Sequence, residues 1–154
     1  MVNYRRHRPD TGTFFLTTAL KNRSSTLLVR EVDALRSACQ AALREAPARV
    51  AAMVVLPEHL HLLLTMPSPA DYPKFMRCMK TRFTKQAGRK GATWQPRYWA
   101  HTIRDDRDFW LHADYIHRNP VKHGLVQRVR DWPHSTFHDW VARGLLPADW
   151  GDAW

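Results

Sequence analysis

Apolar residues change their spacing several times along the chain, and each change marks an element. Residues 13–20 read TFFLTTAL, a β-branched and aromatic run that predicts a first strand. After a polar loop at 21–25, apolar residues return at helical spacing from 29 to 46, at Val32, Leu35, Cys39 and Leu43, and Pro47 closes that helix. Residues 50–56 predict a strand buried on both faces, Pro57-Glu58 a tight turn, and 59–66 its antiparallel neighbour. A helix over 72–87 carries its apolar edge at Met76, Met79 and Phe83. Residues 94–103 predict an aromatic strand in which Pro96 demands a sheet edge or a bulge. Acidic Asp105 and Asp106 open a helix over 104–118, which should end at Asn119 because Pro120 follows. Gly124 suits a left-handed turn, and Ser135 caps a short helix stopped by Gly144. Strand–helix–strand passages around a hairpin predict one α+β domain over 1–154. Its expected form is a ferredoxin-like (RRM-like) antiparallel sheet with helices packed on it, a basic N-terminal arm and a short C-terminal helical tail.

Two positions break the aliphatic run of the third strand. His59 and His61 point to one face while Leu60 points to the other, so two imidazoles can share one divalent ion. The plainer alternative is a pair of core-edge histidines bonded to their neighbours. A metal site that does chemistry needs at least a third ligand and an open position. Tyr115 and Asn119, four apart at the end of the helix that opens at 104, put a phenol and an amide on one face; a packing tyrosine and a helix-terminal asparagine are the plainer reading.

Charge narrows the class of partner. Twenty-four Lys and Arg against 14 Asp and Glu give a net charge of +10, which favours a polyanion, nucleic acid first. Arg5, Arg6 and Arg8 in the N-terminal arm, and Lys74, Arg77, Arg82 and Lys85 on the 72–87 helix, are candidate phosphate contacts, with Arg97 beside the aromatic strand. Trp94, Tyr98 and Trp99 are candidate stacking platforms for unpaired bases, although edge-strand core suits each equally well. Cys39 and Cys78, far apart in helices, fit small core residues in a reducing compartment. With no apolar leader and no membrane span, the chain is expected in the cytoplasm, associated with the nucleoid.

Three ordered motifs carry a resemblance: Pro57-Glu58-His59-Leu60-His61, Trp94-Gln95-Pro96-Arg97-Tyr98-Trp99, and residues 114–124, DYIHRNPVKHG. Together they resemble the HUH single-tyrosine transposases, and among these the REP-associated tyrosine transposases, over nearly the whole chain. The resemblance implies an HUH endonuclease core with the histidine pair on a central strand and the tyrosine on a facing helix. It implies cleavage of single-stranded DNA at an imperfect palindromic hairpin (REP), through a 5′-phosphotyrosine link and a free 3′-hydroxyl. Position by position, Tyr115 is the nucleophile and His59 and His61 ligate Mg²⁺ or Mn²⁺. Asn119 is the third ligand, with His117 and His123 as competing donors. The resemblance leaves a monomer and a homodimer both open. A phenol titrates near 10, so it needs activation to attack at neutral pH. A covalent link keeps the bond energy, so strand transfer rather than hydrolysis follows.

Two other classes compete. A histidine-triad nucleotide hydrolase wants a third alternating histidine, and that position is Leu63. A non-catalytic single-strand binder on an RRM-like sheet fits the composition equally well and is separated only by the joint presence of His59, His61 and Tyr115.

Overall fold

The computed structural model describes residues 12–68 and 71–152; Arg5, Arg6 and Arg8 lie outside the described residues. Four strands, β1 (Gly12–Ala19), β2 (Arg49–Val55), β3 (His59–Met66) and β4 (Trp99–Thr102), form one sheet in the order β2-β3-β1-β4. All neighbours are antiparallel. This is the predicted ferredoxin-like arrangement. The pleat then divides the side chains between two cores. Leu60, Leu62, Leu64 and Met66 of β3 join Phe14 and Leu16 of β1 under α2 (Val32–Glu45) and α3 (Tyr72–Gln86). Leu63 and Phe15 face the other way, toward α4 (Asp106–Lys122) and α5 (Phe137–Ala142). His59 and His61 share the parity of Leu63. A strand covered on both faces needs apolar residues at consecutive positions, which is why β3 shows no alternation.

Three elements depart from the sequence expectation. The predicted helix over 29–46 is broken at Glu31 into α1 (Leu27–Arg30) and α2, and the first turn of α1 is tied to the turn before β3 by the Leu28 N–H to the Pro57 carbonyl (3.1 Å). The predicted strand over 94–103 pairs only at Trp99–Thr102; before it, Trp94 makes an isolated bridge to Leu20, and Pro96 supplies no N–H for a ladder. It is an edge strand, as Pro96 requires.

The third departure matters most for the site. The helix expected to stop before Pro120 runs on to Lys122. Proline removes a single donor near the end of the helix, and the following turn is closed by His123 N–H to Asn119 C=O (3.0 Å). Gly124, at φ +71°, then bonds back to Val121 (2.9 Å) and Leu125 to Pro120 (2.9 Å), a Schellman ending. Nothing lies within 4 Å of a Cβ at Gly124, so its replacement by alanine would meet only backbone strain. Gly124→Ala is expected to cost about 1 kcal/mol, read as a lower denaturant midpoint at unchanged slope.

Residues after α4 return across the sheet and cover the free edge of β2. Val55 N–H bonds to the His134 carbonyl and Thr136 N–H to Met53, both at 2.9 Å. The indoles of Trp132 and Trp140 donate to the carbonyls of Val55 (2.9 Å) and Ala51 (3.0 Å). Among the described residues no helix is long and apolar enough to cross a membrane.

Candidate active site

The side chains that interrupt the apolar pattern of β3 lie where β3 meets α4. His59 and His61 are buried, with ring centroids 5.0 Å apart. Each ring is tethered through Nδ1. The Glu58 carboxylate takes His59 Nδ1 at 2.5 Å and is itself met by Arg23 Nε at 2.9 Å. The Thr17 hydroxyl, directly across on β1, lies 2.6 Å from His61 Nδ1. A carboxylate only accepts, so His59 donates from Nδ1, which leaves Nε2 as the ring atom available to a ligand. Burial, then the nearby His59, His123 and Lys122, push the pKa of His61 down to about 3. At neutral pH it is an uncharged imidazole, the form that binds metal.

From α4, Tyr115 and Asn119 face this pair from successive turns. The Tyr115 ring stands edge-on to His61 at 5.3 Å and to Phe15 at 5.9 Å. It is 36% exposed, at a cleft of about 560 Å³ that Trp99, Leu111 and His112 also line. Asn119 is fully buried, and neither of its amide atoms has a hydrogen-bond partner; the same is true of His61 Nε2. The amide lies against His61 without reaching hydrogen-bond geometry. Three orphaned polar atoms at one buried spot cost stability, and an ion would satisfy the two that carry a lone pair, His61 Nε2 and Asn119 Oδ1. The residues present therefore fit a divalent cation. Of the competing donors, His123 borders the site, 5.1 Å from His59. His117 does not: it is buried on another side of α4, with Nε2 2.9 Å from Thr136 Oγ1 and its ring 4.8 Å from Trp140.

Sequence reasoning missed several members. Thr17 meets His61 through cross-strand register, which a single sequence does not display. Lys122 reaches the site on the turn that Pro120 was expected to abolish, the turn that also carries the competing donor His123. Glu58 stood next to His59 in the Pro-Glu-His run and could have been found there. A second cluster, His101, Asp108 and His112, holds its ligand atoms within 4.8 Å of one another and is spaced to hold a metal ion. Burial pushes the Asp108 carboxyl up, but bonds from the Arg104 N–H (3.0 Å), His101 Nε2 (2.8 Å) and Arg104 Nε (3.3 Å) outweigh it and hold the pKa at about 2. His112 Nδ1 lies 2.7 Å from the Asp108 carbonyl. These atoms satisfy one another and tie β4 to α4, unlike the orphans at His61 and Asn119.

The candidate DNA contacts divide between the two sides of the sheet. Lys74, Arg77, Arg82 and Lys85 are exposed on α3, on the side away from Tyr115. Arg77 and Lys85 line a groove of about 660 Å³ with Lys80, Arg89 and Tyr98. Arg82 leans instead toward Glu45 on α2, at 3.8 Å. Trp94 is corrected: it is 8% exposed, its indole donates to Lys80 O (3.2 Å) and Thr84 Oγ1 (3.1 Å), and its ring meets Phe83. That is a core residue, showing only its margin to the same groove. Arg97 is exposed, and Trp99, at 65% exposure, lies open beside Tyr115.

Residues 13–119 match the family described as "Transposase IS200 like". The chain is 48% identical to the REP-associated tyrosine transposase of Escherichia coli K12, over 97% of this chain and 91% of that protein. A Haemophilus influenzae relative is 39% identical over 98% of this chain and 94% of its own. A solved structure of a REP-associated tyrosine transposase bound to a REP hairpin superposes with a TM-score of 0.89 at 47% identity, covering 98% of this chain and 92% of that one. A Deinococcus radiodurans structure, at 21% identity and a TM-score of 0.51 over 75% of this chain and 95% of its own, shares the fold alone. The histidine-pair strand, the tyrosine helix facing it and these matches agree: the chain belongs to the IS200-like single-tyrosine transposases, in their REP-associated branch.

Proposed function

We propose that this DNA-processing protein cleaves and rejoins single-stranded DNA at REP-type hairpins, with Tyr115 as the nucleophile. The observation that carries the reading is the pairing of a solvent-reaching phenol with two orphaned acceptors buried beside it, His61 Nε2 and Asn119 Oδ1. His59, His61 and Asn119 would hold Mg²⁺ or Mn²⁺. Such an ion, when bound, polarises a phosphate oxygen and orients the scissile diester. Glu58 and Thr17 fix the two imidazoles so that their remaining nitrogens need not reorganise when the ligand arrives. Phe15 and His61 hold the tyrosine ring edge-on at the cleft mouth, and Trp99 offers an open face for an unpaired base near the scissile bond.

Tyr115 forms the 5′-phosphotyrosine link and releases a 3′-hydroxyl, which can later attack the link and reseal a strand. The exposed cations of α3, with Arg97 and the arm residues Arg5, Arg6 and Arg8, take hairpin phosphates. Such a protein works in the cytoplasm at the nucleoid, as a monomer or a homodimer.

The test is a denaturing gel of the protein incubated with hairpin-bearing single-stranded oligonucleotides and Mn²⁺ or Mg²⁺, beside Tyr115→Phe. A protein-linked fragment that requires metal and vanishes in the variant is the expected result. Cleavage that survives Tyr115→Phe would mean a metal-dependent nuclease. Tight hairpin binding with no covalent product would mean a binding module.

A further inference from the structure

The turn of α4 beyond Pro120 carries Lys122, seven residues after Tyr115 and therefore on the same helix face two turns on. Its Nζ lies 4.7 Å from the centroid of the Tyr115 ring. Its charge also reaches the histidines. Behind burial and His59, and for His61 also His123, Lys122 helps lower the pKa of His61 and of His123. The ammonium thus lies over the phenol ring, and its charge is felt at His61 and His123.

Some cations of the fold are neutralised by an acid, and Lys122 is not one of them. Arg23, Arg36, Arg82, Arg104, Arg128 and Arg130 each meet a carboxylate within 4.0 Å. Among the described residues no carboxylate pairs with Lys122; its contact is the aromatic face. A lysine whose charge served only solubility would extend into water, where hydration is best. This one lies over the ring that the cleft presents.

We propose that Lys122 is a positioning residue for DNA cleavage, fixing the Tyr115 ring and setting an uncompensated positive charge beside the oxygen that attacks. The inference rests on the reading of Tyr115 as nucleophile. In that step the phenol oxygen forms a bond to phosphorus and the bond from phosphorus to the 3′-oxygen breaks. The phenol proton passes to solvent, and the departing 3′-oxygen takes one up. A diester brings one negative charge and the attacking phenolate a second, so charge gathers where Lys122 stands. Rejoining crosses the same transition state in reverse, so the charge assists both directions and leaves their balance unchanged.

The test compares Lys122→Met, which keeps the stem and removes the charge, with Lys122→Arg, which keeps the charge. Covalent adduct formation is followed in single turnovers at saturating hairpin oligonucleotide with Mn²⁺, and resealing is followed by adding a strand with a free 3′-hydroxyl. Lys122→Met is expected to slow both by the same factor, on the order of 10- to 100-fold, with hairpin affinity and melting temperature unchanged. Lys122→Arg is expected to recover most of the rate. Wild-type rates in Lys122→Met overturn the proposal. So does an arginine variant as slow as the methionine one, which would mean the stem's shape matters and not its charge. A deficit that disappears as DNA is raised to saturation would make Lys122 a DNA-binding lysine instead. If the wild-type protein forms no adduct, the nucleophile reading fails together with this one, and Tyr115→Phe, indistinguishable from wild type, identifies that case.

Discussion

Asn119→Leu is expected to melt at a higher temperature than the wild-type protein in EDTA and to form no covalent DNA adduct. Asn119 is fully buried on α4 with both amide atoms unpaired, and His61 Nε2 beside it is unpaired as well. Burying an amide without partners costs about 1–3 kcal/mol, and leucine fills similar space with no polar atom and a better helix propensity. Part of that cost is recovered, which a chain of this size would display as a rise of about 2–6 °C. Addition of Mn²⁺ should reverse the order. The wild type gains stability by binding an ion that its unfolded chain cannot hold, and the variant, one ligand short, gains less. Opposite signs in stability and activity are what distinguish a site held at a structural cost from an ordinary packing position. A lower melting temperature for Asn119→Leu in EDTA would show that the amide already has a partner and would remove the argument for a third ligand there.

Acidification from pH 7.5 to pH 5 is expected to cost the fold about 1–2 kcal/mol for each of two histidines, His61 and His117. Burial, followed by the His138 charge, holds the pKa of His117 at about 3, and His61 is held at about the same value, chiefly by burial. In the unfolded chain both would titrate near 6.5. Below that value the unfolded state takes up protons that the folded state refuses. Stability therefore falls as pH drops from about 6.5 toward 3, and is fully present above 6.5. Carboxylates such as Asp108, whose ordinary pKa is 3.8, contribute little above pH 5. Denaturant midpoints at the two pH values, with His117→Gln alongside, measure the effect. The variant should lose less on acidification, by about one proton's worth of slope. A wild-type midpoint that does not move between the two values would mean that both rings take up protons without leaving the folded state.

Much of the site was legible because it breaks a rule. Two histidines in an otherwise aliphatic strand are visible to anyone reading periodicity, and the parity of a strand puts them on one face without further information. The four-residue spacing of Tyr115 and Asn119 works the same way on a helix. The features that escaped depend on pairing or on competition between local and tertiary terms. Thr17 reaches His61 through register, and register is set by the whole sheet. Trp94 looked like a stacking platform because composition records an aromatic ring and says nothing of which side is covered. Pro120 was weighted as a terminator although the bonds of the following turn outweigh one missing donor. Lys122 was lost with it. The tie between α1 and the turn before β3 has the same origin, since the Pro57 carbonyl that Leu28 meets lies far along the chain.

The hydrogen bonds that residues 132–140 make to β2 bear on how the protein keeps to itself in a crowded cell. A sheet ends in two rows of unpaired backbone groups, and each row invites a foreign strand. Here one row is occupied by the chain's own C-terminal segment, so Met53 and Val55 offer no template to a neighbour. The other belongs to β4, only four residues long and preceded by a proline, too short to hold a partner firmly. A chain cut before Trp132 would keep the histidine strand and the tyrosine helix, yet expose the longer edge. It would lose solubility before it lost its chemistry, and the aromatic C-terminal stretch acts in that sense as a guard against self-templated aggregation.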